Sequence, residues 1–397
     1  MNKIKVFITI ATISLVTIAT PGCINDVAYR SDHFSSTAVT WDMVAAGDTH
    51  TLALLSDGTL WAWGGNTNGQ LGLGDSGLGT DRNTPTQVGS STWTKVSAGY
   101  DFSIGIKSDG TLWAWGLNSV YQLGLNDTTL RSSPTKIGSA KNWATVSAGY
   151  DHAFAINNSA KLFAWGSNTT GELGDNNNPN ASTIPKAIDA ANNYAQVAAG
   201  QDFTIARRTA NTIFAWGYNL NAELGDGSYA QKNTQGFSTA SYIQIDAGGG
   251  VALGGHGCGI KSDSTLFCWG AGTLGQLGDN NSTTSNTHVQ EFTGVTTWSS
   301  VSLGAYHAHA IQTDSTLWAW GYDFNGQLGL GTSGGGTDQA SPVQVGTATD
   351  WESISAGSFH NGAIRNGRLF TWGLNTNGQL GNGDYNQQPS PVEIAVP

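Results

Sequence analysis

His50-Thr51-Leu52-Ala53-Leu54-Leu55-Ser56-Asp57-Gly58-Thr59-Leu60-Trp61-Ala62-Trp63-Gly64 sets two short apolar runs on either side of an Asp-Gly pair. Glycine accepts the positive φ of a tight hairpin turn, and period-two apolar residues flank it, so the segment predicts two antiparallel strands. Its last dipeptide recurs. Trp-Gly begins at Trp63, Trp115, Trp165, Trp216, Trp269, Trp320 and Trp372, at intervals of 52, 50, 51, 53, 51 and 52 residues. Outward from it, an aromatic opens each copy, as in Trp93-Thr94-Lys95-Val96-Ser97-Ala98-Gly99. A glycine-rich loop such as Gly69-Gln70-Leu71-Gly72 follows Trp-Gly, and a Pro-led strand such as Pro85-Thr86-Gln87-Val88 or Pro391-Val392-Glu393-Ile394 ends the unit. Each copy thus supplies about four short strands, too few to bury a sheet face alone, so neighbours must stack. Radial stacking of such sheets makes a propeller. The expected fold is all-β: one domain over residues 41–397, a seven-bladed β-propeller of four-stranded antiparallel blades. Trp41–Val44 starts a first strand and Pro391–Ile394 is a last one, so the ring is expected to close by pairing of N- and C-terminal strands within one blade.

Composition agrees with this. The 397 residues include 54 Gly and 15 Trp, only 11% are charged, and the formal charge is −11. Such a chain suits a tightly turned, aromatic-rich β protein better than a helical or disordered one. With Lys3 and Lys5 set aside, fifteen scattered cations face 28 acids, −13 beyond Cys23. Phosphate backbones are bound by clustered basic side chains, so nucleic acid is disfavoured and a cationic partner favoured.

Lys3 and Lys5 precede an apolar stretch from Val6 to Ala19, too short for a mature membrane span but suited to a secretory leader. Residues 1–23 are therefore expected to be a signal peptide and 24–40 a tether. Thr20-Pro21-Gly22-Cys23 resembles a bacterial lipoprotein box, in which the Cys23 thiol takes a lipid, although an aliphatic residue is usual where Thr20 stands. Lipid anchoring in a cell envelope and plain secretion are the two expectations. Cys258 and Cys268 flank a turn at Ser262–Thr265 that brings them opposite one another to within a residue, which fits either a disulfide or two buried thiols.

The repeat resembles the regulator of chromosome condensation family, whose blades carry an Ala-Gly-x-x-His step and a Trp-Gly-x-Asn-x-x-Gly-Gln-Leu-Gly step. Ala46-Gly47-Asp48-Thr49-His50 and Ala356-Gly357-Ser358-Phe359-His360 match the first; Trp63 to Gly72 and Trp372 to Gly381 match the second. All seven copies are covered. Members include nucleotide-exchange factors for a small GTPase, plant ultraviolet photoreceptors and secreted bacterial propellers that plug enzyme active sites. This chain has no insertion long enough for an exchange wedge, no basic tail and no Trp-Arg dipeptide. What stays similar is an exported, protein-binding propeller.

Several motifs suggest chemistry and reduce to architecture. Gly72-Leu73-Gly74-Asp75-Ser76-Gly77 and Gly329-Leu330-Gly331-Thr332-Ser333-Gly334 spell a dinucleotide loop but have no helix to follow, and the second also spells a nucleophile elbow without its strand-to-helix turn. His50, His152, His256, His307 and His360 share a repeat position with Phe102 and Phe203, so that position tolerates pure packing. His309, two residues beyond His307, could pair with it on zinc, but no third ligand is identifiable. No catalytic residue, metal or cofactor is expected.

The resemblance places the loop after each Ala-Gly step on a rim of the propeller. There stand Asp48, Tyr100, Asp101, Tyr150, Asp151, Gln201, Asp202, Tyr306 and Phe359, rigid aromatic area among carboxylates able to steer a basic partner. Copy five adds about five residues, Gly249 to Leu253, at the same place. The expected function is a monomeric scaffold, not an enzyme, that binds a protein through loops on one face, as an inhibitor in one form. The alternatives are a hydrolase or lyase with paired Asp residues at the central opening, and nucleotide exchange inherited from the family.

Overall fold

In the first repeat, β1 (Trp41–Ala46), β2 (His50–Leu55) and β3 (Thr59–Gly64) pair in sequence as antiparallel neighbours. Gly58, at φ +84°, makes the turn that joins the last two. β4 (Arg82–Ala98) is shared: as far as Thr92 it pairs with β3, and from Trp93 it pairs with β5 (Phe102–Lys107). β6 (Leu112–Gly116) and β7 (Arg131–Lys136) complete a seven-stranded sheet. The remaining strands form five four-stranded sheets, each of four consecutive antiparallel strands. This computed structural model describes residues 38–397 except 240, 251 and 252. Cys23, the expected signal peptide and the tether up to residue 37 lie outside the described residues.

The innermost strand carries a register shift at the same place in every repeat, between Trp41 and Met43 in β1 and between Trp351 and Ser353 in the last copy. Such a bulge turns the opening aromatic out of the regular alternation and sharpens the local twist. β2 is buried at all six positions, and its counterparts His152–Asn157 and His307–Gln312 at five of six. Alternation of apolar and polar residues would leave one face wet. Here sheets stack on both faces, so the middle strands read as nearly continuous apolar runs while the Pro-led outer strands stay half-exposed.

Apolar clusters lie between successive repeats. Leu52, Leu54, Leu60 and Ala62 of the first pack on Trp93, Val96 and Trp115 of the second. Trp41, Val44, Leu55 and Trp63 pack on Ile364, Leu369 and Ile394 of the last. Each Trp-Gly indole donates to a main-chain oxygen of the preceding repeat: Trp115 Nε1 to Gln70 O at 2.9 Å, Trp216 to Glu172 O at 2.8 Å, Trp372 to Gln327 O at 3.0 Å. For the first repeat the acceptor lies in the last, Gln379 O at 2.9 Å from Trp63 Nε1. The main chain repeats the relation, since Trp93 N donates to Gly58 O and Trp41 N to Gly367 O.

The expected pairing of terminal strands is corrected. β1 pairs with β2, and Gln388–Ile394 pairs with Arg368–Gly373, so among the described residues the first and last strands never share a sheet. Every repeat already owns four strands, which leaves none to exchange. First and last repeats join through buried side chains and the hydrogen bonds just described. The fold is all-β and propeller-like.

Cys258 and Cys268 are cross-strand partners in register, both fully buried, with an S–S bond of 2.07 Å. Of the two sequence expectations, the bonded pair is the one present.

Candidate functional site

The Ala-Gly step ends the innermost strand, and its glycine allows neighbouring repeats to converge. A Cβ on Gly47 would stand 2.7 Å from Gly99 O, on Gly304 2.4 Å from Gly357 O, and on Gly357 2.3 Å from Gly47 O. The corresponding step of all seven repeats lines one central opening of about 120 Å³. The histidine three residues later is the spacer beneath it. His50 Nε2 lies 2.9 Å from Ser103 Oγ, His307 Nε2 2.8 Å from Asn361 Oδ1, and His360 Nε2 2.8 Å from Thr51 Oγ1, each reaching the following repeat. Burial pushes these rings far down, to about 3 for His50 and His360 and about 4 for His307, so they are neutral packing groups. His309 packs edge-on against Trp372. Gly72, Gly74 and Gly77 all have positive φ in a turn that leads to a strand, as the architectural reading expects.

The rim residues chosen from sequence divide into two groups. Asp48, Tyr100, Tyr150, Tyr306 and Phe359 line one hollow of about 240 Å³ beside the opening, together with Gly249 and Gly250. Tyr100 and Tyr150 stack at 4.1 Å between ring centroids, and Tyr306 and Phe359 lie 5.9 Å apart. Gln201 and Asp202 line a second, more polar hollow of about 330 Å³ with Tyr218 and Glu223. Asp101 turns back to accept from Gln70 Nε2 at 3.0 Å. Asp151 belongs with the second group, because Glu172 and Asp202 act on it.

Among the described residues, no lysine or arginine lines the opening or either hollow. The carboxyls are accordingly hard to ionise. Burial, then Asp48, pushes Asp101 up to about 6. Burial, then Glu172 and Asp202, pushes Asp151 up to about 7; burial, then Glu172 and Glu223, pushes Asp202 up to about 6. Burial also raises Asp48 against a hydrogen bond from Ser358.

Because burial and its acidic neighbours hold Asp151 above its ordinary value of 3.8 in the fold, its ionisation penalty is absent at low pH, grows as pH rises and is complete above about 7. Asp151→Asn carries no charge. Its expected effect at pH 8 is a gain on the order of 1–2 kcal/mol, discounted for solvent screening, that shrinks as pH falls towards 4. Denaturant unfolding at pH 8 and pH 4.5 measures this, and an equal gain at both would contradict it.

Sequence reasoning passed over Glu172 and Glu223. Both replace the Gln of Gly-Gln-Leu-Gly, in Gly171-Glu172-Leu173-Gly174 and Ala222-Glu223-Leu224-Gly225, a departure visible in the repeat alignment, and both are fully buried. Burial opposes ionisation of Glu172, yet His152 and donors from Ser167 Oγ at 2.6 Å and Thr170 N at 2.7 Å hold its carboxyl below the usual range. The insertion in copy five lengthens a hairpin, with Gly248 opposite His256, Gly249 opposite Gly255 and Gly250 opposite Gly254. It stands between the two hollows. A Cβ on Gly250 would be 2.3 Å from Tyr306 Oη, and one on Gly254 2.3 Å from Asn221 Nδ2.

A profile described as the RCC1-like domain matches residues 29–254, and the regulator of chromosome condensation (RCC1) repeat matches 263–311, 314–364 and 366–397. The chain is 28% identical to the ultraviolet-B receptor UVR8 of Arabidopsis thaliana over 359 residues, 86% of this chain and 79% of that protein. It is 32% identical to HERC4 of Rattus norvegicus over 349 residues, 84% of this chain; the match spans only 32% of HERC4. Yeast RCC1 (Prp20), solved with Kap60, superposes with a TM-score of 0.74 at 17% identity, covering 94% of this chain and 91% of that one. Human WBSCR16 superposes at 0.73 with 22% identity, covering 85% and 94%. With the profile spanning more than half its length and the repeat matched three times beyond it, this chain belongs to the RCC1-like family.

Proposed function

We propose that the chain is an exported propeller of seven blades, anchored in a cell envelope through Cys23, that binds a protein through the face bearing the rim. The carrying observation is the opening itself: the Ala-Gly or Leu-Gly step of every repeat converges there, aromatic rings and poorly ionised carboxyls edge it, and among the described residues no cation lines it. Rigid aromatic area flanked by acids suits a basic partner surface. We read this binding as one that can block the partner's own site. The blade count is supported by the indole and main-chain hydrogen bonds that run from each repeat to the one before it and from the first to the last.

Hydrolysis or elimination at Asp151 and Asp202 is the competing reading. An acid and base pair arises where surroundings push two carboxyls apart, whereas burial and shared neighbours push both of these upward, to about 7 and about 6. Glu172 is pushed the other way from Asp151, but it is fully buried with both oxygens accepting from Ser167, Thr169 and Thr170, so it faces no substrate. Binding is therefore favoured over catalysis. The ligase named in HERC4 and the Kap60 binding named for yeast RCC1 belong to those proteins; the first is matched over a third of its length and the second is alike only in fold.

The test uses the full-length chain in envelope extracts. Wild type is expected to retain a partner that a Tyr100→Ala, Asp202→Asn, Phe359→Ala variant with an unchanged unfolding midpoint loses. Equal retention by both would overturn the reading. Palmitate labelling abolished by Cys23→Ala is the expected result for the anchor, and unchanged labelling would remove it.

A further inference from the structure

The hollow beside the opening has the dimensions and chemistry of a seat for one side chain. At about 240 Å³ it falls below the roughly 300–1,000 Å³ of a drug- or cofactor-sized site. Its lining includes the stacked pair Tyr100 and Tyr150, the neighbouring rings of Tyr306 and Phe359, and Asp48. The charged groups that act on the Tyr100 and Tyr150 hydroxyls are Asp48, Asp101 and Asp151, all of them carboxyls. Aromatic faces and carboxylates both attract cations, and a cation placed there would relieve the mutual repulsion of the acids.

The lengthened hairpin completes the enclosure. Gly250 lies under the Tyr306 hydroxyl so closely that no side chain fits between them, which places a rim aromatic of copy six against an insertion peculiar to copy five. The regular repeat would not make this contact. Elsewhere in the protein the same pairing of cation and aromatic is already occupied internally: Lys107 lies 3.6 Å from the Trp113 ring centroid, and Arg208 3.8 Å from that of Phe214. At the hollow, none of the described lining residues is a lysine or arginine.

We infer that the hollow walled by Tyr100, Tyr150, Tyr306 and Phe359 receives one arginine side chain of the protein partner, its guanidinium against the rings and hydrogen-bonded to the Asp48 carboxylate. Arginine fits better than lysine because its planar, weakly hydrated cation stacks on aromatic faces and presents paired donors to a carboxylate. This rests on the partner-binding reading above and specifies what that partner must present.

The probes are capped Gly-Arg-Gly, Gly-Lys-Gly and Gly-citrulline-Gly peptides titrated into the full-length chain by calorimetry. The arginine peptide is expected to bind about tenfold more tightly than its uncharged isostere citrulline, with lysine between them. Asp48→Asn, which removes the carboxylate, and Gly250→Ala, whose Cβ would overlap the Tyr306 ring and displace it, are each expected to bring arginine down to the citrulline level. Asp127→Asn, at an ion pair with Arg131 in an outer loop, is expected to leave it unchanged. Equal binding of arginine and citrulline, or an arginine preference that survives both hollow variants while their unfolding midpoints match wild type, overturns the inference; lysine equal to arginine overturns the guanidinium assignment. If envelope capture succeeds while the peptides fail to discriminate, the seat is wrong and partner binding stands. The opposite pattern keeps the seat and removes the partner.

Discussion

Trp63→Ala is expected to destabilise the protein by about 3–5 kcal/mol and to split its unfolding into two steps. The side chain is fully buried, packs edge-on to Trp41 at 6.0 Å, and donates its indole N–H to Gln379 O. Truncation opens a cavity between the first and last repeats and removes one of the two donors to Gln379 O, the other being Thr51 Oγ1 at 2.8 Å, so the cavity carries most of the cost. Trp216→Ala removes an equally buried indole bonded to Glu172 O, but between two repeats that the chain itself connects. A similar loss of stability is expected there, with a single transition. No peptide bond spans the first-to-last junction, so loss of side-chain cohesion alone can part it, and an array with free ends unfolds less cooperatively. Denaturant titration followed by tryptophan fluorescence distinguishes the two variants. Identical single transitions would mean that the junction is not held chiefly by this contact.

Gly304→Ala is the second large effect, expected near the upper end of the roughly 1–3 kcal/mol typical of overpacking. The added Cβ would stand 2.1 Å from His307 Cε1 and 2.4 Å from Gly357 O. The histidine is fixed by Asn361 and the carbonyl is main chain, so neither can yield without moving the next repeat. Gly335→Ala is the comparison, because nothing lies within 4 Å of its Cβ position, and its effect is expected within about 0.5 kcal/mol. A Gly304→Ala protein as stable as wild type would show that the opening can widen freely.

The histidine position shows how far sequence reasoning reaches. The Phe102 and Phe203 substitutions disclosed that His50 and its counterparts are packing groups, and their burial bears that out. That His50, His307 and His360 also bridge to the following repeat was not legible, because Ser103, Asn361 and Thr51 lie 53, 54 and 309 residues away in the chain. The rim was legible as a set but not as two hollows. Period and motif place Tyr100 and Tyr150 one residue after the Gly of their step and Tyr306 and Phe359 two residues after theirs, and only the convergence of strands at the opening decides which of them share a hollow. Glu172 and Glu223 broke a written pattern and were still passed over, since a Gln-to-Glu change means little until burial beside Asp151 and Asp202 is known.

The Trp-Gly period, the Asp-Gly turns and the Pro-led strands by themselves determined an all-β chain of stacked four-stranded units, because backbone periodicity and turn chemistry act within a dozen residues and are written locally. How the ends meet, which acids crowd one another and which rings enclose a space were decided only in the tertiary structure. Those relations join residues from repeats far apart in the chain, and their energies depend on distance and burial that no single repeat encodes.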